Sequence, residues 1–98
     1  MPEPIFAPDA LRQLRKLRVY DQRIVIEGIE RPLIRSAPTR QSRNTFRLRR
    51  VSRWADFELR LGKLRVFYRV DDAGSVTITL VGVKQGNRLL AEGKEFQL

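Results

Sequence analysis

The feature that most limits how this chain can fold is a sustained two-residue alternation of apolar and polar side chains beginning at Phe57. Phe57, Leu59 and Leu61 alternate with Glu58 and Arg60, and Gly62 interrupts them. Leu64, Val66, Tyr68 and Val70 then alternate with Arg65, Phe67 and Arg69. Asp71-Asp72-Ala73-Gly74-Ser75 has the composition of a hairpin turn, after which Val76, Ile78 and Leu80 alternate with Thr77, Thr79 and Val81. A period of two is the signature of half-buried strands. Strands joined by such short turns form an antiparallel meander, with one face on a core and the other in water. Arg60, Arg65 and Arg69 are expected to share the wet face.

The N-terminal part carries a different period. Pro8 and Asp9 sit where a first helical turn accepts them, and Leu11, Leu14 and Leu17 recur every three residues between Arg12, Arg15, Lys16 and Arg18. Asp21 is positioned to cap a second helix, with Ile24, Val25, Ile29 and Leu33 as its buried side. Arg23 to Glu27 is rich in β-branched residues, Gly28 weakens a helix and Pro32 is expected to stop it. A helical hairpin is still preferred, because it gives the leucine stripe a partner. Residues 36–44 have loop composition, and Phe46 and Leu48 alternating with Arg47 and Arg49 suggest a short edge strand. The expected fold class is α+β: an N-terminal helical hairpin packed on a C-terminal antiparallel β-sheet. At 98 residues the chain is expected to be a single domain, 1–98.

Charge narrows the function classes. The chain carries 20 Lys+Arg against 11 Asp+Glu, and no acidic residue occurs between Arg31 and Ala55. Arg suits planar, bidentate contact with phosphate or carboxylate. A nucleic acid or an acidic protein would answer this stretch, and a plain solvated face is the unspecific alternative. Arg43, Arg47, Arg49, Arg50, Arg53 and Arg69 are the candidate nucleic-acid-binding residues. Trp54, between Arg53 and Ala55, can stack on a base or anchor its loop in the core.

The residues also exclude chemistry. Without His or Cys, His-based triads, His general bases, disulfides and Cys/His zinc sites are ruled out. Asp71-Asp72 lies in a turn and Glu92 and Glu95 have no acidic neighbours in sequence, so no metal and no other cofactor is expected. No apolar run nears the ~18 residues of a membrane span, and Met1 to Phe6 lacks the features of a signal peptide. The expected location is the cytoplasm, with no membrane partner.

The run Phe57-Glu-Leu-Arg-Leu-Gly-Lys-Leu-Arg-Val-Phe-Tyr68 resembles the RelE/ParE superfamily of bacterial type II toxins. The resemblance continues through Thr77-Ile-Thr-Leu-Val-Gly-Val-Lys84, Gly86-Asn87-Arg88-Leu89, Glu92-Gly93 and Glu95-Phe96, and upstream in Arg43-Asn44 and Leu48-Arg49. It implies a cytoplasmic toxin silenced by an antitoxin of Phd/YefM or RelB type, whose acidic segment would cover the basic face. RelE-like members cut mRNA in the ribosomal A site without a metal, the 2′-hydroxyl attacking its own phosphate. ParE-like members share the fold and poison DNA gyrase instead.

Under this resemblance Arg60 and Arg65 match phosphate-binding sheet arginines, and Lys84 matches a further basic residue after the Val-Gly pair. These three are the candidate catalytic residues. Metal-free cleavage needs cations where charge builds on phosphate oxygens. Counting alternation from Val76 puts Lys84 on the core side unless a bulge, marked by Gly82, intervenes. The proton acceptor is the open question: Arg cannot serve, and Lys84, Lys63, Tyr68, Tyr20, Glu58 and the C-terminal carboxylates are the candidates. Tyr68 is expected to be a core residue by alternation. RelE-like nucleases typically carry a Tyr where this chain has Leu90, and Glu58 stands where active members have a second strand cation. Both departures weaken the case for fast acid–base catalysis, and the missing Tyr at position 90 favours the ParE-like reading or a member without nuclease activity. A nucleic-acid-binding module is a third possibility, and a membrane-surface role for the Leu11–Leu17 helix a fourth.

Overall fold

The computed structural model describes residues 4–35, 37–39, 41–48 and 55–96. In chain order the elements are β1 (Ile5–Phe6), α1 (Pro8–Lys16), α2 (Val19–Ile29), β2 (Thr45–Arg47), β3 (Phe57–Leu61), β4 (Leu64–Val70), β5 (Val76–Gln85), β6 (Arg88–Ala91) and β7 (Lys94–Phe96). A π-helical turn, Glu30–Arg35, continues α2. The strands join in the order β2-β3-β4-β5-β6-β7, and β1 pairs with β5. The α+β class and the helical pair on a sheet are therefore as expected, with additions at both ends of the chain: β6 and β7 extend the meander, and β1 runs parallel to β5, Ile5 opposite Thr77 and Phe6 opposite Ile78.

Each helix forms for local reasons and then buries one stripe. Pro8 opens α1, Asp9 lies in its first turn, and Arg15 and Lys16 lie in its last, matching the helix dipole at both ends. Ala10 and Leu14 are buried, with Leu11 and Leu17 packed beside them. The second helix begins at Val19, two residues before the expected cap. Asp21 is buried inside it, 3.3 Å from Arg18 Nε and 3.9 Å from Lys63 Nζ. Pro32 does not end the helical path: the coil widens into the π-helical turn, and Leu33 is still buried. Val25, Ile29 and Leu33 meet Phe57, Leu59, Val66 and Tyr68 across the helix-facing side of the sheet.

The outer edge of β5 is shared by two short strands. β1 covers Thr77 and Ile78, and β6 covers Val83 to Gln85. Between them the Val81 N–H donates to Gln13 Oε1 of α1 at 2.8 Å, and Gln13 is 4% exposed. A buried glutamine thus completes an edge that neither strand reaches.

The other face of the sheet is not uniformly wet. Ala55, Phe67, Leu80 and Ala91 form a second buried cluster there, with Leu48, Leu89 and Phe96 against it. Its origin is a bulge in β5. Phe67 pairs with Leu80 but Tyr68 pairs with Ile78, so Thr79 is the extra residue. Val76 and Ile78 face the helices before it, and Val81 and Val83 after it, which turns Leu80, Gly82 and Lys84 to the opposite side.

At the far hairpin Glu92 (φ 54°) and Gly93 (φ 78°) occupy the two left-handed positions of a turn of the type I′ kind. A Glu there is strained, and Arg12 holds it, with Nε at 2.6 Å and Nη2 at 3.3 Å from the two carboxylate oxygens. These bonds keep the Glu92 carboxyl below its ordinary range.

Two outcomes follow from these contacts. Gln13→Ala leaves the Val81 N–H without its acceptor and is expected to cost roughly 1–3 kcal/mol, read as a lower urea midpoint at unchanged m-value. A depressed carboxyl stabilises the fold above its unfolded pKa and loses that contribution as pH falls through the folded one. The midpoint gap between wild type and Arg12→Ala is therefore expected to be full at pH 7 and to close as pH drops below the usual carboxylate value of about 4.3.

Candidate functional site

Two adjacent strands place the candidate arginines. Leu59 and Leu61 of β3 and Leu64 and Val66 of β4 pack on the helix side, so alternation sends Arg60 and Arg65 to the open face. They are register partners, directly opposite one another across β3 and β4. The hairpin between them turns at Gly62, whose φ of 62° suits a two-residue type II′ connection. Like charges directly opposite destabilise a sheet. Here Glu58 lies beside both, with Oε1 3.0 Å from Arg60 Nε and Oε2 3.9 Å from Arg65 Nε. The Arg60 guanidinium also sits 4.3 Å from the centre of the Phe46 ring, in cation–π range.

Arg65 is the more enclosed of the pair. Its side chain is 12% exposed, and Nη1 donates to the carbonyls of Gly62 and Leu64. Burial lowers its pKa, Glu58 opposes that shift and Arg60 adds to it. An arginine remains a cation under such shifts, so the site keeps two guanidinium groups on one face.

Lys84 joins them through the bulge. Its register partner is Leu89, which packs on the open-face cluster. The bulge lies at Thr79 and not at Gly82, and it removes Lys84 from the core side where simple alternation puts it. Arg65 pairs with Gly82, so Lys84 is its diagonal neighbour at ~7–8 Å between backbones. Lys84 is exposed, and its N–H donates to the Lys63 carbonyl at 2.8 Å.

The other candidates are not gathered here. Arg69 is on the same face but half-buried and four residues along β4, ~13 Å away at strand spacing. Arg43 is exposed in the turn before β2. Arg47 pairs with Phe57 and lies 5.5 Å from its ring, on the helix side of the sheet. Arg49, Arg50, Arg53 and Trp54 lie outside the described residues. Leu90 pairs with Val83 and so faces the helix side, away from Arg60 and Arg65.

Tyr68 is a core residue. It is fully buried, stacks on Phe57 with ring centres 5.3 Å apart, and donates its hydroxyl to the Pro38 carbonyl at 2.7 Å. Burial pushes its phenol well above the ordinary tyrosine range. Tyr20 is exposed on α2, on the opposite side of the sheet. Among the described residues no three Cys, His, Asp or Glu side chains converge as a metal site, and no helix is long and apolar enough to cross a membrane. Chemically, the open face offers two guanidinium groups, an exposed ammonium and one carboxylate, a set whose cations can pair with an anionic group.

No family profile matches the chain, and no curated relative does. Among solved structures, it is similar to the toxin–antitoxin complex RelBE2 of Mycobacterium tuberculosis, at 30% identity and a TM-score of 0.67, over 83% of this chain and 88% of that one. A weaker likeness, 23% identity and a TM-score of 0.45 over 84% and 95% of the chains, is to the intact RelBE toxin–antitoxin complex of E. coli. With its helix pair, meander and opposed sheet arginines in place, and with this identity over most of both chains, the chain belongs to the RelE-like branch of the RelE/ParE toxin superfamily.

Proposed function

We propose that this protein is the toxin of a type II toxin–antitoxin pair and a metal-independent endoribonuclease that cuts mRNA on the ribosome. The observation that carries the reading is the directly opposed Arg60 and Arg65 on the open face. Two guanidinium groups held side by side on a rigid sheet are suited to the developing charge of a scissile phosphate. Lys84, diagonal to Arg65, reaches the same phosphate or the next. The partner is an acidic antitoxin segment of Phd/YefM or RelB type, which competes with RNA for these cations. The cytoplasm, where message and ribosomes are, is the place of action.

A second reading has one observation in its favour. The position at which RelE-like nucleases typically carry a Tyr holds Leu90, and it faces away from the arginines. A ParE-like toxin that poisons gyrase would have no use for such a Tyr.

Induction without an antitoxin is expected to arrest growth for the wild type and not for Arg60→Ala/Arg65→Ala. In EDTA the purified wild type is expected to cut message on programmed ribosomes, and Arg65→Ala to do so on the order of 10²–10³-fold more slowly. Full activity of Arg65→Ala would displace the site, and inhibited supercoiling with intact message would favour the gyrase reading. Affinity for single-stranded RNA is expected to fall with salt at a log–log slope of about −2 for three cations, each alanine removing about 0.7.

A further inference from the structure

A carboxylate beside two phosphate-binding cations works against phosphate binding, yet Glu58 is held there. Its side chain is 15% exposed, bonded to Arg60 at 3.0 Å and paired with Arg65 at 3.9 Å. Phe46 and Phe67 are its cross-strand neighbours on either side. This is an enclosed position on the working face, not a solvated tip. The site also needs a proton acceptor, and the described residues offer few. There is no His, Arg cannot act as a base, Lys84 is one of the cations that hold the phosphate, Lys63 lies 3.9 Å from Asp21 of α2, and the Tyr68 hydroxyl is bonded to Pro38 on the helix side. Glu92 and Glu95 are paired with Arg12 and Arg88 at the β6–β7 hairpin, and Asp71 accepts the amides of its own turn.

The geometry points to Glu58 as the general base of RNA cleavage, an assignment that rests on the nuclease reading above and deepens it. The attacking 2′ oxygen sits on the carbon next to the one bearing the phosphate ester. A base that acts on it must therefore lie beside the cations that hold the phosphate, where Glu58 lies. When a phosphodiester takes over Arg60 and Arg65, it replaces Glu58 as their anion and leaves the carboxylate next to the ribose. The 2′-hydroxyl proton passes to Glu58 Oε as the 2′ oxygen bonds to phosphorus. The bond from phosphorus to the 5′ oxygen breaks, and that oxygen takes a proton from water. The products are a 2′,3′-cyclic phosphate and a 5′-hydroxyl end.

The test compares the full-length wild type with Glu58→Gln and Glu58→Asp in two assays. One is binding of a 2′-O-methyl RNA oligonucleotide, which cannot be cut by this route. The other is single-turnover cleavage of message on programmed ribosomes. Glu58→Gln, with one negative charge fewer beside the arginines, is expected to bind the oligonucleotide at least as tightly as wild type, which also reports that it is folded. Its cleavage is expected to fall on the order of 10²–10³-fold, within the range for loss of a general base, and Glu58→Asp to keep part of the activity. Wild-type cleavage by Glu58→Gln overturns the assignment. So does a parallel loss of binding and cleavage, which would mean that Glu58 only holds the arginines in place. If the wild type itself leaves the message intact, the nuclease reading falls and the base falls with it; if the wild type cuts and Glu58→Gln cuts equally, the base alone falls.

Discussion

The extra residue at Thr79 decides which side of the sheet each later side chain of β5 occupies. Without it, Leu80 would continue the row of Val76 and Ile78 toward the helices, and Val81 would face away. With it, Val81 and Val83 take the helix side, while Leu80 drops into a second cluster with Phe67 and Ala91. The same half-turn carries Lys84 to the face of Arg60 and Arg65. It also points the Val81 N–H at the unstranded part of the edge, where Gln13 accepts it. One inserted residue thereby links a small second core, a buried polar contact to α1 and the third cation of the site. Bulges recur beside functional sites for this reason: they re-aim a side chain without changing the strand order.

A sheet chosen for stability alone would not set two arginines opposite one another. Here the conflict is softened by Glu58, by the Phe46 ring under Arg60, and by the two hairpin carbonyls that accept from Arg65. The Arg60 contact is half-exposed, so its ion pair adds little beyond orientation. Arg65 is different: it is largely enclosed, and each of its bonds fixes the guanidinium plane. Local rules broken at one place and compensated by neighbours mark functional sites more often than structural ones.

Much of this was legible in the chain. The alternation from Phe57 located β3 and β4, the Asp71–Ser75 turn and the face shared by Arg60 and Arg65, because burial acts on every second residue. The bulge was not, since Thr79 differs in no compositional way from Thr77. β1 escaped because two residues carry no period and their partner, β5, lies some seventy positions away. Gln13 escaped because a polar residue on a basic helix reads as solvated until its acceptor role is seen. Pro32 was expected to end α2, but a π-helical turn loosens the hydrogen-bond ladder enough to carry the chain past it, and burial of Leu33 rewards the continuation. Arg47 belongs by charge to the basic stretch, yet its pairing with Phe57 puts it behind the sheet.

The precision of the site comes from the core behind it. A slip of one residue between β3 and β4 would turn one strand over, taking either Phe57, Leu59 and Leu61 or Leu64, Val66 and Tyr68 away from the helices. Each of those rows is almost wholly buried, so the slipped register exposes several large side chains at ~1.5–3 kcal/mol apiece. Gly62 shortens the connection to two residues and removes the slack that a longer loop would allow. The Arg60–Arg65 spacing is therefore held by apolar burial on the opposite face and not by the charged groups themselves. The register thus fixes where the two side chains leave the backbone, while Glu58, the Phe46 ring and the hairpin carbonyls orient the guanidinium groups at their ends.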